Sequence, residues 1–275
     1  MISRDGDEQM ISGYCRAREE FRSFLKTIDL SKYREEFMKR KYVEQDLPDD
    51  VVNTMLRSLY EKYWEKKRFL CFDDWFEEVW KEISKLEEFT NFVWEYWHRR
   101  FGEDEEWDNW FKEGLKARLY RTWTAVLTQF DFCYTVECVV EEEAYKIPIF
   151  ASPELNRTGV DLRLRTQEGA TIDFQVYKIS ERKEARGKTG GVIRVPYPVT
   201  SREELKRRVE SPNTRKREAY ETILQTFDLY YEELDNGFIV FKKELAKAIL
   251  DRVILGQDVR SFVEDLAICL RGEKA

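Results

Sequence analysis

The chain has one histidine, His98, among 275 residues, which excludes multi-histidine metal sites and any mechanism needing two imidazoles. It lies in the aromatic run Trp94-Glu95-Tyr96-Trp97-His98, where a helix-surface position is expected. The five cysteines, Cys15, Cys71, Cys133, Cys138 and Cys269, are odd in number and form no CxxC pair. A zinc site is therefore excluded, and reduced thiols are expected. No apolar run approaches the roughly 18 residues of a membrane span. Met1 to Asp7 lacks the basic-then-apolar pattern of a secretory signal, so no membrane and a cytoplasmic location are expected. Gly187-Lys188-Thr189 is not a phosphate-binding loop, because Arg182 stands where its first glycine is required. Internal repeats and low-complexity stretches are absent.

What is present is charge and aromatic surface together. Charged residues make up 37% and aromatics 15%, which suits a packed globular protein and not a disordered one. The net charge of -7 is unevenly spread. Lys178 to Arg217 holds 13 basic residues against five acids, a surplus of eight, and leaves the remainder strongly acidic. Such asymmetry is the electrostatic footprint of a polyanion partner.

Residues 1–130 read as helical. Phe21, Phe24, Leu25 and Ile28 share one helix face, as do Met55, Leu56, Leu59 and Tyr63. Trp75, Phe76, Val79, Trp80 and Ile83 make a broad apolar stripe. Leu115 to Phe132 predicts a long helix. Phe132 to Val140 is rich in β-formers and predicts a strand. Pro148 to Pro153 predicts a loop or short edge segment, and Val192 to Tyr197 a strand ended by its proline. Ser201 and Glu204 form a capping box for a helix over Arg202 to Glu210. Thr214 to Leu234 and Ala246 to Leu270 predict helices, with an Asn236-Gly237 turn between them. Three parts are expected: a helical part (1–130), a β-core with the site (131–200) and a helical C-terminal part (201–275).

The most informative stretch runs from Gly159 to Lys178. Val160, Leu162 and Leu164 alternate with polar residues, as do Ile172, Phe174 and Val176, so two half-buried strands joined by a tight turn are predicted. The polar face carries Asp161, Arg163 and Arg165 beside Asp173, Gln175 and Tyr177. A turn centred near Glu168 puts Asp161 across from Gln175; one centred a residue earlier puts it across from Asp173. Either arrangement gathers oxygens within reach of one metal ion, with Lys178 at the strand end.

Several stretches resemble the TaqI-type restriction endonucleases of the PD-(D/E)XK nuclease superfamily. They are Tyr42 to Pro48, Ala117 to Thr122 with Thr128 to Tyr134, Pro153-Glu154-Leu155 running into Gly159-Val160-Asp161, and Asn236-Gly237-Phe238. The matches keep their order over most of the chain. The resemblance implies an α+β fold, with a mixed sheet flanked by helices and a large helical N-terminal part. It also implies a Mg²⁺-dependent type II restriction endonuclease that makes double-strand cuts in DNA at the palindrome TCGA. A homodimer follows from the palindrome, and a cognate DNA methyltransferase is the implied genetic partner.

Asp161 matches the family's central carboxylate and Gln175 a glutamine of its second strand. Asn156 stands where the family has another aspartate, and Tyr177 and Lys178 stand where it has two lysines. The expected catalytic set is Asp161, Gln175 and Lys178, and the metal set Asp161, Asp173 and Gln175, with Glu154 and Asn156 in support. Either Lys178 serves through local distortion of the strand, or Asp173 and Gln175 form a variant of the second motif. Arg182, Lys183, Arg186, Lys188 and Arg194 are the expected DNA contacts. Two rivals stand beside this reading: a DNA-binding or nicking protein of the same fold, and a helical interaction protein.

Overall fold

A computed structural model describes residues 13–37, 39, 47–98, 107–179 and 191–273. Tyr42 to Asp46, the side chain of His98, and the expected DNA contacts Arg182, Lys183, Arg186 and Lys188 lie outside the described residues.

Everything is arranged around one helix. Helices α1 (Gly13–Lys26), α2 (Asp49–Leu59), α3 (Phe72–Ile83) and α4 (Glu87–His98) precede α5, which runs unbroken from Trp107 to Glu142. The strand expected over Phe132 to Val140 is thus the last third of α5, and the expected boundary at residue 130 falls inside it. The reason is burial on two sides. Phe130 and Tyr134 pack into the aromatic core of the helical part. Phe132, Cys133, Val136 and Val139 pack into a second core with the sheet and the C-terminal helices. A helix apolar all round loses the 3.6-residue signature, and packing overrides its β-propensity.

The sheet follows α5 in the order β1 (Ile149–Phe150), β2 (Leu162–Arg165), β3 (Thr171–Ile179), β4 (Ile193–Pro198). The short helix α6 (Pro153–Arg157) lies between β1 and β2. β1–β2 and β2–β3 are antiparallel, and β3–β4 is parallel. Pro196 continues β4 instead of ending it, which an edge strand tolerates because one row of its N–H groups has no ladder partner to lose. Helix α7 (Arg202–Val209) starts where expected, with the Ser201 hydroxyl oxygen accepting from Glu204 N at 3.2 Å. Helix α8 (Thr214–Tyr230) stops four residues early. Tyr231–Glu233 becomes β5 and pairs with β6 (Ile239–Phe241) across the Asn236-Gly237 turn. Helices α9 (Lys243–Ile254) and α10 (Val259–Leu270) close the fold. This is an α+β, restriction-endonuclease-like architecture with a helical N-terminal part.

Among the described residues, no helix is long and apolar enough to cross a membrane. Cys15 and Cys138 are joined in a disulfide, which corrects the expectation of reduced thiols throughout. The bond ties the first turn of α1 to the last turn of α5. Along the same seam, Arg22 Nε donates to Asp131 Oδ1 at 3.2 Å, and Phe241 N donates to Asp131 Oδ2 at 2.7 Å. Asn236 docks the β5–β6 turn on α1, donating from Nδ2 to the carbonyls of Leu25 and Ile28 at 2.8 Å each. That motif therefore has a structural role.

Candidate active site

Local sequence shapes the approach to Asp161. The Ser152 hydroxyl accepts from Leu155 N at 3.2 Å, and Pro153 opens α6 with a φ already suited to a helix. Gly159, at φ 80°, turns the chain out of α6. A Cβ at Gly159 would stand 3.3 Å from Gln175 Nε2, so glycine also makes room for that amide. Asp161 N then donates to Phe174 O at 2.8 Å and starts the β2 edge of the hairpin.

The register pairs Leu162 with Phe174 and Arg163 with Asp173. The ladder begins at Leu162; continued one step, the same register runs Asp161 toward Gln175, the first of the two expected alternatives, while Asp161 N itself bonds to Phe174 O.

Asp161 is 2% exposed. Its Oδ1 accepts from Asn156 Nδ2 at 2.9 Å and its Oδ2 from the Val176 backbone N–H at 2.7 Å. Both partners are uncharged. Burial pushes its carboxyl up to about 7, against the pull of the Val176 and Asn156 hydrogen bonds. Asn156 Nδ2 also donates to Gln129 Oε1 of α5, at 3.1 Å. Cys133, one turn further along α5, has its Sγ 3.6 Å from the Asp161 carbonyl oxygen. Burial drives that thiol well above the ordinary range, so it is no nucleophile.

The other expected residues are placed as follows. Asp173 shares the hairpin with Asp161, but its two oxygens are held by Arg163, Nε at 2.6 Å and Nη2 at 2.9 Å. Glu154 lies in the first turn of α6. Lys178 is exposed and lines a pocket of about 290 Å³ with Arg121, Thr124, Thr128 and Tyr197. Arg194 lies across from Gln175 on β4, and its guanidinium carbon is 4.1 Å from the centre of the Tyr177 ring.

A cleft of about 470 Å³ opens beside Asn156, lined by Arg118, Arg121, Thr122 and Gln129 among others. Arg121 borders both this cleft and the Lys178 pocket. Gln129 falls in the stretch Thr128 to Tyr134 that carries part of the family resemblance, yet the sequence does not mark it as a site residue. Its only signal is a polar side chain one residue before the buried Phe130.

The site's donor set consists of a buried carboxylate without a cationic hydrogen-bond partner and neighbouring amides. The Asp161 oxygens each accept one hydrogen bond and keep a second lone pair. A carboxylate oxygen together with an amide oxygen such as that of Gln175 fits a hard divalent cation such as Mg²⁺, while Asn156 presents its nitrogen here.

The family model described as TaqI restriction endonuclease matches residues 18–253. The chain belongs to the TaqI restriction endonuclease family. It is 30% identical over 247 residues to the type II restriction enzyme TaqI of Thermus aquaticus, covering 85% of this chain and 87% of that one. It is 30% identical over 267 residues to the type II restriction enzyme TthHB8I of Thermus thermophilus, covering 92% and 90%. No solved structure matches it. Within the TaqI family match lie α5, α6 and the whole sheet, and so every residue of the site just described.

Proposed function

We propose that this protein is a type II restriction endonuclease that cuts both strands of DNA at a short palindrome, TCGA, by Mg²⁺-dependent phosphodiester hydrolysis. The observation that carries the reading is Asp161, a buried carboxylate pinned by Asn156 and the Val176 N–H in a chain of the TaqI family. Asp161 and Gln175 would hold the cation. When bound, Mg²⁺ neutralises charge on the scissile phosphate and acidifies a water. Asn156 and Val176 fix the rotation of the buried carboxylate through one hydrogen bond to each oxygen. Arg118 and Arg121 flank the cleft where a phosphate would lie, and Lys178 borders the adjoining pocket, ready to hold or deprotonate the attacking water. The basic surplus after Lys178, including Arg182, Lys183, Arg186, Lys188 and Arg194, grips the DNA backbone and base edges. The protein works as a homodimer matched to the palindrome, in the cytoplasm, beside a cognate DNA methyltransferase. The helical N-terminal part, the β-core and the C-terminal helices serve as support, chemistry and DNA grip.

A second reading is a DNA-binding or nicking protein of the same fold. Asn156 and Tyr177, which stand where the family has an aspartate and a lysine, favour it. Plasmid digestion with Mg²⁺ and sequencing of the ends separates the two. Discrete fragments ending at one palindrome support restriction, and nicked circles or retarded but intact plasmid support the second reading. Asp161→Ala should abolish cutting and leave DNA retention largely intact.

A further inference from the structure

Asn156 has two amide hydrogens, and both are used. Its Nδ2 lies 3.1 Å from Gln129 Oε1 and 2.9 Å from Asp161 Oδ1. An amide can flip, exchanging nitrogen for oxygen at almost no change in shape. Asp161 accepts only, so a flipped Asn156 would set Oδ1 against Asp161 Oδ1, and the carboxylate selects the orientation with nitrogen toward it; Gln129, whose own amide can turn to match, takes the second Nδ2 hydrogen. We propose that Gln129 is a positioning residue of the active site: by accepting the second Nδ2 hydrogen it holds the plane and reach of the Asn156 amide that donates to Asp161, and thereby steadies the carboxylate on the Val176 N–H. The inference rests on the nuclease reading for its catalytic consequence, but not for the geometry it asserts.

The chain of contacts crosses three elements. Gln129 is on α5, Asn156 on α6, and Val176 on β3. Asp161 receives its two hydrogen bonds from α6 and β3, so the rotation of its carboxyl group follows from the placement of both. Gln129 is half-buried beside the cleft that Arg118, Arg121 and Thr122 also line. The position at which the family carries an aspartate is here an amide clamp. A second acid there would have placed two carboxylate oxygens 2.9 Å apart in the absence of a cation. Asn156 removes that repulsion, and Gln129 anchors the other hydrogen of its amide.

Two readouts test this. The first is amide hydrogen exchange at Val176, which reports on the bond to Asp161 Oδ2 and needs no catalysis. Gln129→Leu, which keeps the bulk but loses the acceptor, should speed exchange at Val176 about tenfold, while Gln129→Glu, which keeps an acceptor oxygen, should restore slow exchange. Equal exchange in wild type and Gln129→Leu, with both folded, would overturn the proposal. The second is cleavage kinetics. Gln129→Leu should lower kcat about tenfold with KM for DNA unchanged, Gln129→Glu should recover most of it, and Gln129→Leu should have no further effect in an Asn156→Ala background. Additive losses would mean that the two residues act independently, and would end the proposal. If wild type cuts no DNA, the nuclease reading fails, and the Val176 exchange still decides the role of Gln129.

Discussion

Arg163 holds both carboxylate oxygens of Asp173, through Nε at 2.6 Å and Nη2 at 2.9 Å. This fork-on-fork pair occupies the acid that stands nearest to Asp161 along the polar face of the hairpin. Substitution of Asp173 by Asn should therefore cost no more than about 1 kcal/mol, because the pair is partly exposed. Calorimetric Mg²⁺ titration should show little change for Asp173→Asn and loss of binding for Asp161→Asn. Loss of binding in both would return Asp173 to the metal shell.

Asp131 should be the most costly acid to remove outside the site. It is fully buried, accepts from Arg22 Nε and from the Phe241 amide, and sits beside the equally buried Arg18. Asp131→Ala leaves two guanidinium groups in the interior with one less counter-charge. The expected loss is about 3–5 kcal/mol, since breaking a buried pair strands the remaining charge. Urea unfolding of the two proteins measures it.

Glu137 gives the fold a pH dependence. Its side chain is 12% exposed, Oε2 has no hydrogen-bond partner among the described residues, and Lys67 Nζ is 4.0 Å away. Lys67 itself lies over the rings of Trp64 and Tyr134, at 4.2 and 4.3 Å. Burial pushes the Glu137 carboxyl up to about 7, with Lys67 pulling the other way. A carboxyl raised on folding favours the folded state most when protonated in both states. Its contribution is present below the unfolded value of 4.5 and is lost as pH rises to about 7. That contribution is at most about 3 kcal/mol. Glu137→Gln should flatten the stability profile between these limits relative to wild type. Parallel profiles would assign the slope to other groups.

The Cys15–Cys138 bond closes a loop with a sequence separation of 123. Its reduction should lower stability by about 2–5 kcal/mol in the chain-entropy account. Thermal unfolding with and without dithiothreitol reads this directly, and Cys15→Ser should be insensitive to the reductant. Glu142 brings a carboxylate oxygen near the same two sulfurs. A thiol-specific label added after a chelator and without reductant separates the two, because a disulfide stays unlabelled while metal-held thiols are released and labelled.

Much of the site was legible before folding was considered. Alternation in Val160-Asp161-Leu162 and Ile172-Asp173-Phe174 requires a hairpin with Asp161 on it, whereas α6 was not expected, although Ser152 caps it, Pro153 opens it and Gly159 ends it by local chemistry. The Ser201–Glu204 cap and the Asn236-Gly237 turn also follow from local chemistry alone. Periodicity did not choose between the two hairpin registers, because both leave the apolar face inward. The last third of α5 was misread because its apolar residues face two cores, and a residue pattern carries no record of how many surfaces will cover it.

Residue order thus establishes the hairpin, its caps and the acid at its centre, since these depend on neighbours a few positions away. Packing alone decides which oxygens are free: Arg163 engages Asp173, Asn156 donates to both Asp161 and Gln129, and burial of Asp161 raises its pKa. Each of those outcomes depends on groups brought together from separate elements, and burial multiplies the energy of every hydrogen bond made or missed there.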